Sequence, residues 1–171
     1  MSKIQLKKEL NNLTKEQLVG LLLDIYSSNK SSKEYLDFFV NPDVDKLHDK
    51  VFAAIVKEMY RNRRGDTKAR FSIIRSAIRQ YESYGVGHEY VLRLMIETIG
   101  EALRASYQFY ATKTFISGLT KLVCDTLKFG DKNNLFDTAH SQLNEALSTK
   151  YGRRSFINNL RNAVGLEAIK W

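Results

Sequence analysis

The chain has 171 residues, of which 43% are hydrophobic and 27% charged, and its formal net charge is +8. This composition is typical of a globular protein and excludes a disordered or fibrous chain. A single cysteine, Cys124, excludes an internal disulfide and a metal site built from several cysteines. The charged first residues do not resemble a signal peptide, and the longest apolar run, Leu18–Leu23, is too short to cross a bilayer. We therefore expect one domain over residues 1–171, located in the cytoplasm and not associated with a membrane.

Apolar residues recur at helical spacing from Thr14 to Leu147, and this period predicts helices without a sheet. Short polar breaks divide the chain into about eight helical segments, each with one apolar face. The short connections between them make consecutive helices antiparallel neighbours. The sequence therefore predicts an all-α fold, either a helical bundle or a short stack of helical hairpins.

Several of the predicted helices have clear start signals. After a first helix near residues 2–12, Thr14 and Gln17 form a capping box for the second, which ends near Ser27. Asn41 is the expected N-cap of the fourth helix, with Pro42 at its first position and its end near Arg61. Three more are predicted near residues 32–40, 67–84 and 88–110. Two further helices carry the apolar residues between Phe115 and Leu127 and between Leu135 and Leu147, and a short last helix holds Phe156, Ile157 and Leu160.

Most of the positive charge lies in one short stretch. Residues 57–79 contain eight basic and two acidic residues, so 23 positions carry a net charge of +6. A field this concentrated attracts anions. Arginines that lead into a helix N-terminus strengthen such a site, because the backbone amides and the helix dipole add to the side chains. The sequence therefore predicts an anion-binding or partner-binding surface made of Arg61, Arg63, Arg64, Lys68, Arg75 and Arg79.

The partner of this surface is not fixed by the sequence. An acidic protein surface is the first expectation and the phosphates of nucleic acid are the alternative; a solvated face without a partner also fits the pattern. Phosphate-loop, dinucleotide, zinc-protease and serine-hydrolase signatures are absent, so no catalytic residue, metal or cofactor is predicted, and an enzyme ranks a distant third. His48 lies on the apolar face of the predicted fourth helix, so we expect it in the core. We therefore predict a non-catalytic binding module of open oligomeric state.

Arg70 differs from the other basic residues of this stretch. When the predicted helix 67–84 is viewed down its axis, the side chain of Arg70 lies between those of Ile74 and Ala77, within the apolar face of the helix. Glu58 lies on the inner side of the preceding helix. Because a buried guanidinium needs a carboxylate or several carbonyl groups, we predict a structural ion pair between Arg70 and Glu58. The alternative is that Arg70, only one turn into its helix, extends to solvent. On the ion-pair prediction, replacing Arg70 by alanine lowers stability sharply, whereas replacing Arg75 hardly changes it.

The chain also resembles a known family along most of its length, about residues 1–151. The residues that carry the resemblance are Leu6, Glu9 and Leu10, the run Leu13-Thr14-Lys15-Glu16-Gln17-Leu18, Tyr35 and Phe38, Asn41-Pro42, Lys68-Ala69-Arg70, Gly85, Leu94-Met95 and Glu97. They are similar to those of an uncharacterised bacterial family, a domain of unknown function. The resemblance implies a small, all-helical cytoplasmic protein without an assigned activity, and it brings no catalytic residues.

Overall fold

The computed structural model describes residues 2–60, 65–68 and 70–169. The chain divides into two compact units, Met1–Asp43 and Val44–Trp171. The predicted all-α fold is confirmed, since the described residues form nine helices and no strand. We describe the amino-terminal unit (1–43) and the carboxyl-terminal unit (44–171) separately.

The amino-terminal unit contains three helices, α1 (Lys3–Asn11), α2 (Lys15–Ser28) and α3 (Lys30–Val40). The predicted capping box is confirmed: the Thr14 hydroxyl accepts a hydrogen bond from the Gln17 amide, and the Gln17 side chain accepts one from the Thr14 amide. Helices α2 and α3 pack against each other. None of the residues in the three helices is buried, so the unit has no core of its own.

The carboxyl-terminal unit contains the other six helices: α4 (Val44–Lys57), α5 (Phe71–Ser83), α6 (His88–Gln108), α7 (Lys113–Lys132), α8 (Phe136–Ala146) and α9 (Arg154–Asn162). Within the series α4 to α8, consecutive helices pack against each other, and α4 also packs against α6, α5 against α7 and α6 against α8. This pattern is typical of a short stack of helical hairpins, one of the two predicted architectures. Helix α6 contacts four neighbours and contributes nine buried residues, so it forms the centre of the core.

His48 lies in this core, as predicted, with only 2% of its surface exposed. Its Nε2 atom is 3.2 Å from Oε2 of Glu97 on α6, and its ring stacks on Phe52. The rings of His48 and Tyr81 meet edge to face, and burial raises the pKa of Tyr81 to about 12. Because the ordinary pKa of a tyrosine hydroxyl is 10.0, the neutral hydroxyl stabilises the fold below pH 10, and this contribution is lost as the pH rises through about 12.

Two helix starts differ from the prediction. Asn41 is the C-cap of α3, and α4 begins only at Val44, so the predicted start at Asn41–Pro42 is wrong. Helix α5 begins at Phe71, four residues later than expected. The reason is tertiary: the amide of Thr67 donates to the carbonyl of Tyr110, and the amide of Lys68 donates to the carbonyl of Met59. These hydrogen bonds hold the segment before α5 out of the helix.

Candidate functional site

The predicted basic surface is only partly described by the structure. Arg61, Arg63 and Arg64 lie outside the described residues. Lys68 precedes α5, and its ammonium group donates to the carbonyl of Lys57. Arg79 is exposed on α5. Lys68 therefore does not share a helix face with the arginines of α5, because the helix begins only at Phe71.

Helices α5 and α7 run parallel and place their N-termini at the same end of the unit. The ring of Phe71 meets the ring of Phe115 edge to face at 5.2 Å, and four residues later Arg75 reaches Asp125. The contacts thus advance in the same direction along both helices. Each helix N-terminus carries roughly half a positive charge from its aligned peptide dipoles, so the shared end favours anions.

A glycine allows the close approach of these two helices. A Cβ atom at Gly118 would lie 2.4 Å from Cδ2 of Phe71, a distance that real Cβ atoms do not show. Phe71 is buried, so its ring occupies the space that a side chain at position 118 would need. The absence of a side chain therefore lets the start of α5 lie directly against α7, and a recess opens to solvent beside the contact.

This recess, which we call the α5–α7 cleft, has a volume of about 580 Å³. Three cations and three hydroxyl groups line it, and none of its described lining residues is a carboxylate. Asp125, the carboxylate that pairs with Arg75, lies outside the lining, and the three cations outnumber it, so the cleft is suited to an anion. The lining residues are Phe71, Ser72, Arg75, Lys113, Thr114, Ser117, Gly118 and Lys121.

Arg75 is held at the wall of the cleft and does not extend freely into solvent. Its side chain is 22% exposed, with Nε 3.2 Å from Oδ2 of Asp125. Its Nη2 atom donates to the carbonyl of Gly118 at 3.0 Å. These hydrogen bonds use two of the five N–H donors of a guanidinium group. Arg75 is therefore fixed in place by α7.

The comparisons with known proteins identify the family. The model of DUF6155, described as a family of unknown function, matches residues 1–163. The chain belongs to DUF6155. The match confirms the resemblance to an uncharacterised family that the sequence predicts. No curated protein and no solved structure matches the chain.

Two further properties of this DUF6155 member concern metals and membranes. In residues 2–60, 65–68 and 70–169, no group of three or more His, Cys, Asp or Glu side chains could hold a metal ion. In the same part of the chain, no helix combines the length and the apolar character that a membrane span requires.

Two cations of the cleft are not predicted from the sequence. Lys113 and Lys121 follow Arg75 by 38 and 46 positions, outside the dense basic stretch. Only the parallel packing of α5 and α7 brings them beside Arg75. The available local signal was the helical period of α7, which places Lys113 and Lys121 on its exposed face.

Arg70 and Glu58 do lie together, with Nη1 of Arg70 3.3 Å from Oε2 of Glu58. The predicted burial of this pair is wrong, because the Arg70 side chain is 59% exposed. Arg70 is the N-cap residue of α5 and lies outside its apolar arc. The less exposed ion pair of this region is Arg75–Asp125, for which no structural role was predicted.

The sequence predicts a larger loss of stability from Arg70→Ala than from Arg75→Ala, and the structure predicts the reverse order. Arg70→Ala removes an exposed ion pair and should lower the free energy of unfolding by less than about 1 kcal/mol. Arg75→Ala removes a partly buried pair and a hydrogen bond, at a cost of about 1–2 kcal/mol. Denaturant unfolding of both variants measures the difference. A larger loss from Arg70→Ala would contradict the structure.

Proposed function

We propose that this member of DUF6155 is a non-catalytic binding module of the bacterial cytoplasm whose α5–α7 cleft holds carboxylates of an acidic partner protein. The single observation that supports the proposal is the lining of the cleft. Arg75, Lys113 and Lys121 surround it without a carboxylate among the described lining residues, at the end where two parallel helices begin. A fourth cation, Arg79, follows Arg75 by one turn on the exposed side of α5.

An acidic protein fits this cleft better than nucleic acid does. The guanidinium group of Arg75 already binds a carboxylate of its own chain, that of Asp125. Phe71, the aromatic residue of the lining, is only 3% exposed and offers no ring on which a base could stack. Lys128 continues the exposed face of α7 beyond Lys121. The lysines are therefore spaced along α7 in the way that acidic side chains would be spaced along a partner helix.

A charge reversal in the cleft tests the proposal. The variant carries Lys113→Glu and Lys121→Glu, and the probe is a fluorescein-labelled poly-glutamate peptide followed by fluorescence anisotropy. We expect affinity to fall by at least about tenfold, because attraction at two positions becomes repulsion. The matched control carries Lys150→Glu and Arg153→Glu, two exposed cations away from the cleft lining, and changes the net charge by the same amount. This control should bind within about twofold of the unaltered chain.

Titrations with duplex DNA and with single-stranded DNA distinguish the alternative. If DNA binds more tightly than poly-glutamate, with an affinity that falls linearly in log salt and is lost in the cleft variant, the cleft binds phosphates of nucleic acid instead. If the cleft variant and the control lose affinity equally, the cleft has no specific role and the proposal is wrong.

A further inference from the structure

Helix α2 has far more apolar surface than one neighbouring helix can cover. Its apolar residues span an arc of about 200°, twice the stripe of about 100° that faces the core in a typical surface helix. The arc consists of Leu18, Val19, Leu21, Leu22, Leu23, Ile25 and Tyr26.

Helix α3 covers only part of this arc. The hydroxyl of Tyr26 donates to Oδ1 of Asp37 at 2.9 Å and fixes the α2–α3 hairpin. An apolar groove of about 700 Å³ stays open between the two helices. Leu22, Leu23 and Val40 line it and are 49%, 59% and 80% exposed. The groove therefore needs an apolar occupant to exclude water from these side chains.

The amino-terminal unit also lacks what a short chain needs to fold alone. It has 43 residues and no buried residue in its helices. Chains of roughly 40 residues usually depend on disulfides, metals or association for their stability. Cys124, the single cysteine of the chain, lies outside the unit, so association is the available route.

We propose that the occupant is a second copy of this chain, and that two α2–α3 hairpins associate into a four-helix bundle. The unit contains six lysines and six acidic residues, so two copies meet without net repulsion, whereas the other 128 residues carry the whole charge of +8. The large apolar residues of α2 and α3 leave on the order of 800 Å² exposed, which is what each partner of a standard interface buries. In a dimer with two-fold symmetry, both copies contribute the same groove to the interface.

The dimer would present two α5–α7 clefts in one particle. If the proposed function is correct, a partner with repeated acidic segments gains avidity from binding both clefts at once. The association itself does not depend on the cleft, so each proposal can fail without the other.

Sedimentation equilibrium of the full chain tests the association. We expect a particle of twice the 19.7 kDa chain mass that dissociates on dilution. The variant carrying Leu23→Lys and Val40→Glu should weaken dimerisation by at least about a hundredfold, because it places charges in the apolar groove. The matched control carries Ile73→Lys and Phe136→Glu, two substitutions of exposed apolar residues in the carboxyl-terminal unit, and should dimerise like the unaltered chain.

A crosslink gives a second readout that does not depend on the stability of the variant hairpin. In a Cys124→Ser background, Leu22→Cys should form a disulfide-linked dimer on mild oxidation, whereas Ile73→Cys should not. A chain that is monomeric at all concentrations would overturn the proposal. So would a dimer that survives the groove variant and gives no crosslink at position 22, because its interface would lie elsewhere.

Discussion

Replacing Arg161 by alanine is expected to lower the free energy of unfolding by about 3 kcal/mol, because several charge-assisted hydrogen bonds are lost together. Arg161 is only 6% exposed. Its Nε atom donates to the carbonyl of Glu167 at 2.6 Å, and its Nη2 atom donates to Oδ1 of Asn144 at 2.8 Å. Its Nη1 atom lies 3.3 Å from both the Asn144 carbonyl and the Ser148 hydroxyl. One guanidinium group thus connects α9, the end of α8 and the segment that follows α9.

Two further variants separate the causes of this loss. Arg161→Met keeps most of the apolar stem and removes the donors, so its difference from the unaltered chain measures the hydrogen bonds. Arg154→Ala, an exposed arginine on the same helix, should cost less than about 0.5 kcal/mol. Thermal and denaturant unfolding of the three variants checks the order. Equal stability of the Arg161→Ala and Arg154→Ala variants would show that the hydrogen bonds of Arg161 contribute nothing.

Gly118→Ala is expected to destabilise the carboxyl-terminal unit by about 2–3 kcal/mol, because the added methyl group overpacks the contact between α5 and α7. The new Cβ atom would lie 2.4 Å from Cδ2 and 2.6 Å from Cγ of Phe71. The Phe71 ring is buried against Phe115 and cannot move into solvent without exposing the core. This loss outweighs the roughly 1 kcal/mol that alanine gains over glycine within a helix.

Gly100 provides the matched control, since it also lies inside a long helix, α6. A Cβ atom at Gly100 meets no atom within 4 Å. Gly100→Ala should therefore stabilise the protein by about 0.5–1 kcal/mol through helix propensity alone. The same substitution thus has opposite signs at the two sites, and urea unfolding measures both. A stabilising effect of Gly118→Ala would contradict the close approach of α5 and α7.

The local features of the fold could be read from the sequence because their causes are local. The capping box of Thr14 and Gln17 depends on side chains three residues apart, and the helical period depends on neighbouring turns. The start of α5 could not be read in this way. It is set by hydrogen bonds from Thr67 to Tyr110 and from Lys68 to Met59, and no local pattern encodes these partners.

The candidate site, like the fold, could be predicted only in part from the sequence. The charge density of residues 57–79 pointed to the start of α5, and Arg75 does line the cleft. Lys113 and Lys121 could not be assigned to it, because they are distant in sequence and become neighbours only through parallel packing. The exposed position of Arg70 differs from the prediction for a related reason: Arg70 precedes the first turn of α5, so the helical period does not determine which way it faces.

The most direct test of the α5–α7 cleft is a titration of the ¹⁵N-labelled full chain with poly-glutamate peptide, followed by amide chemical shifts. We predict that the largest changes fall on Phe71, Ser72 and residues 113–121, and that they disappear in the variant carrying Lys113→Glu and Lys121→Glu. Salt should weaken the changes progressively, since the attraction is electrostatic. Changes that are largest on other helices, or that persist unaltered in the charge-reversal variant, would contradict the assignment of this cleft as the binding site.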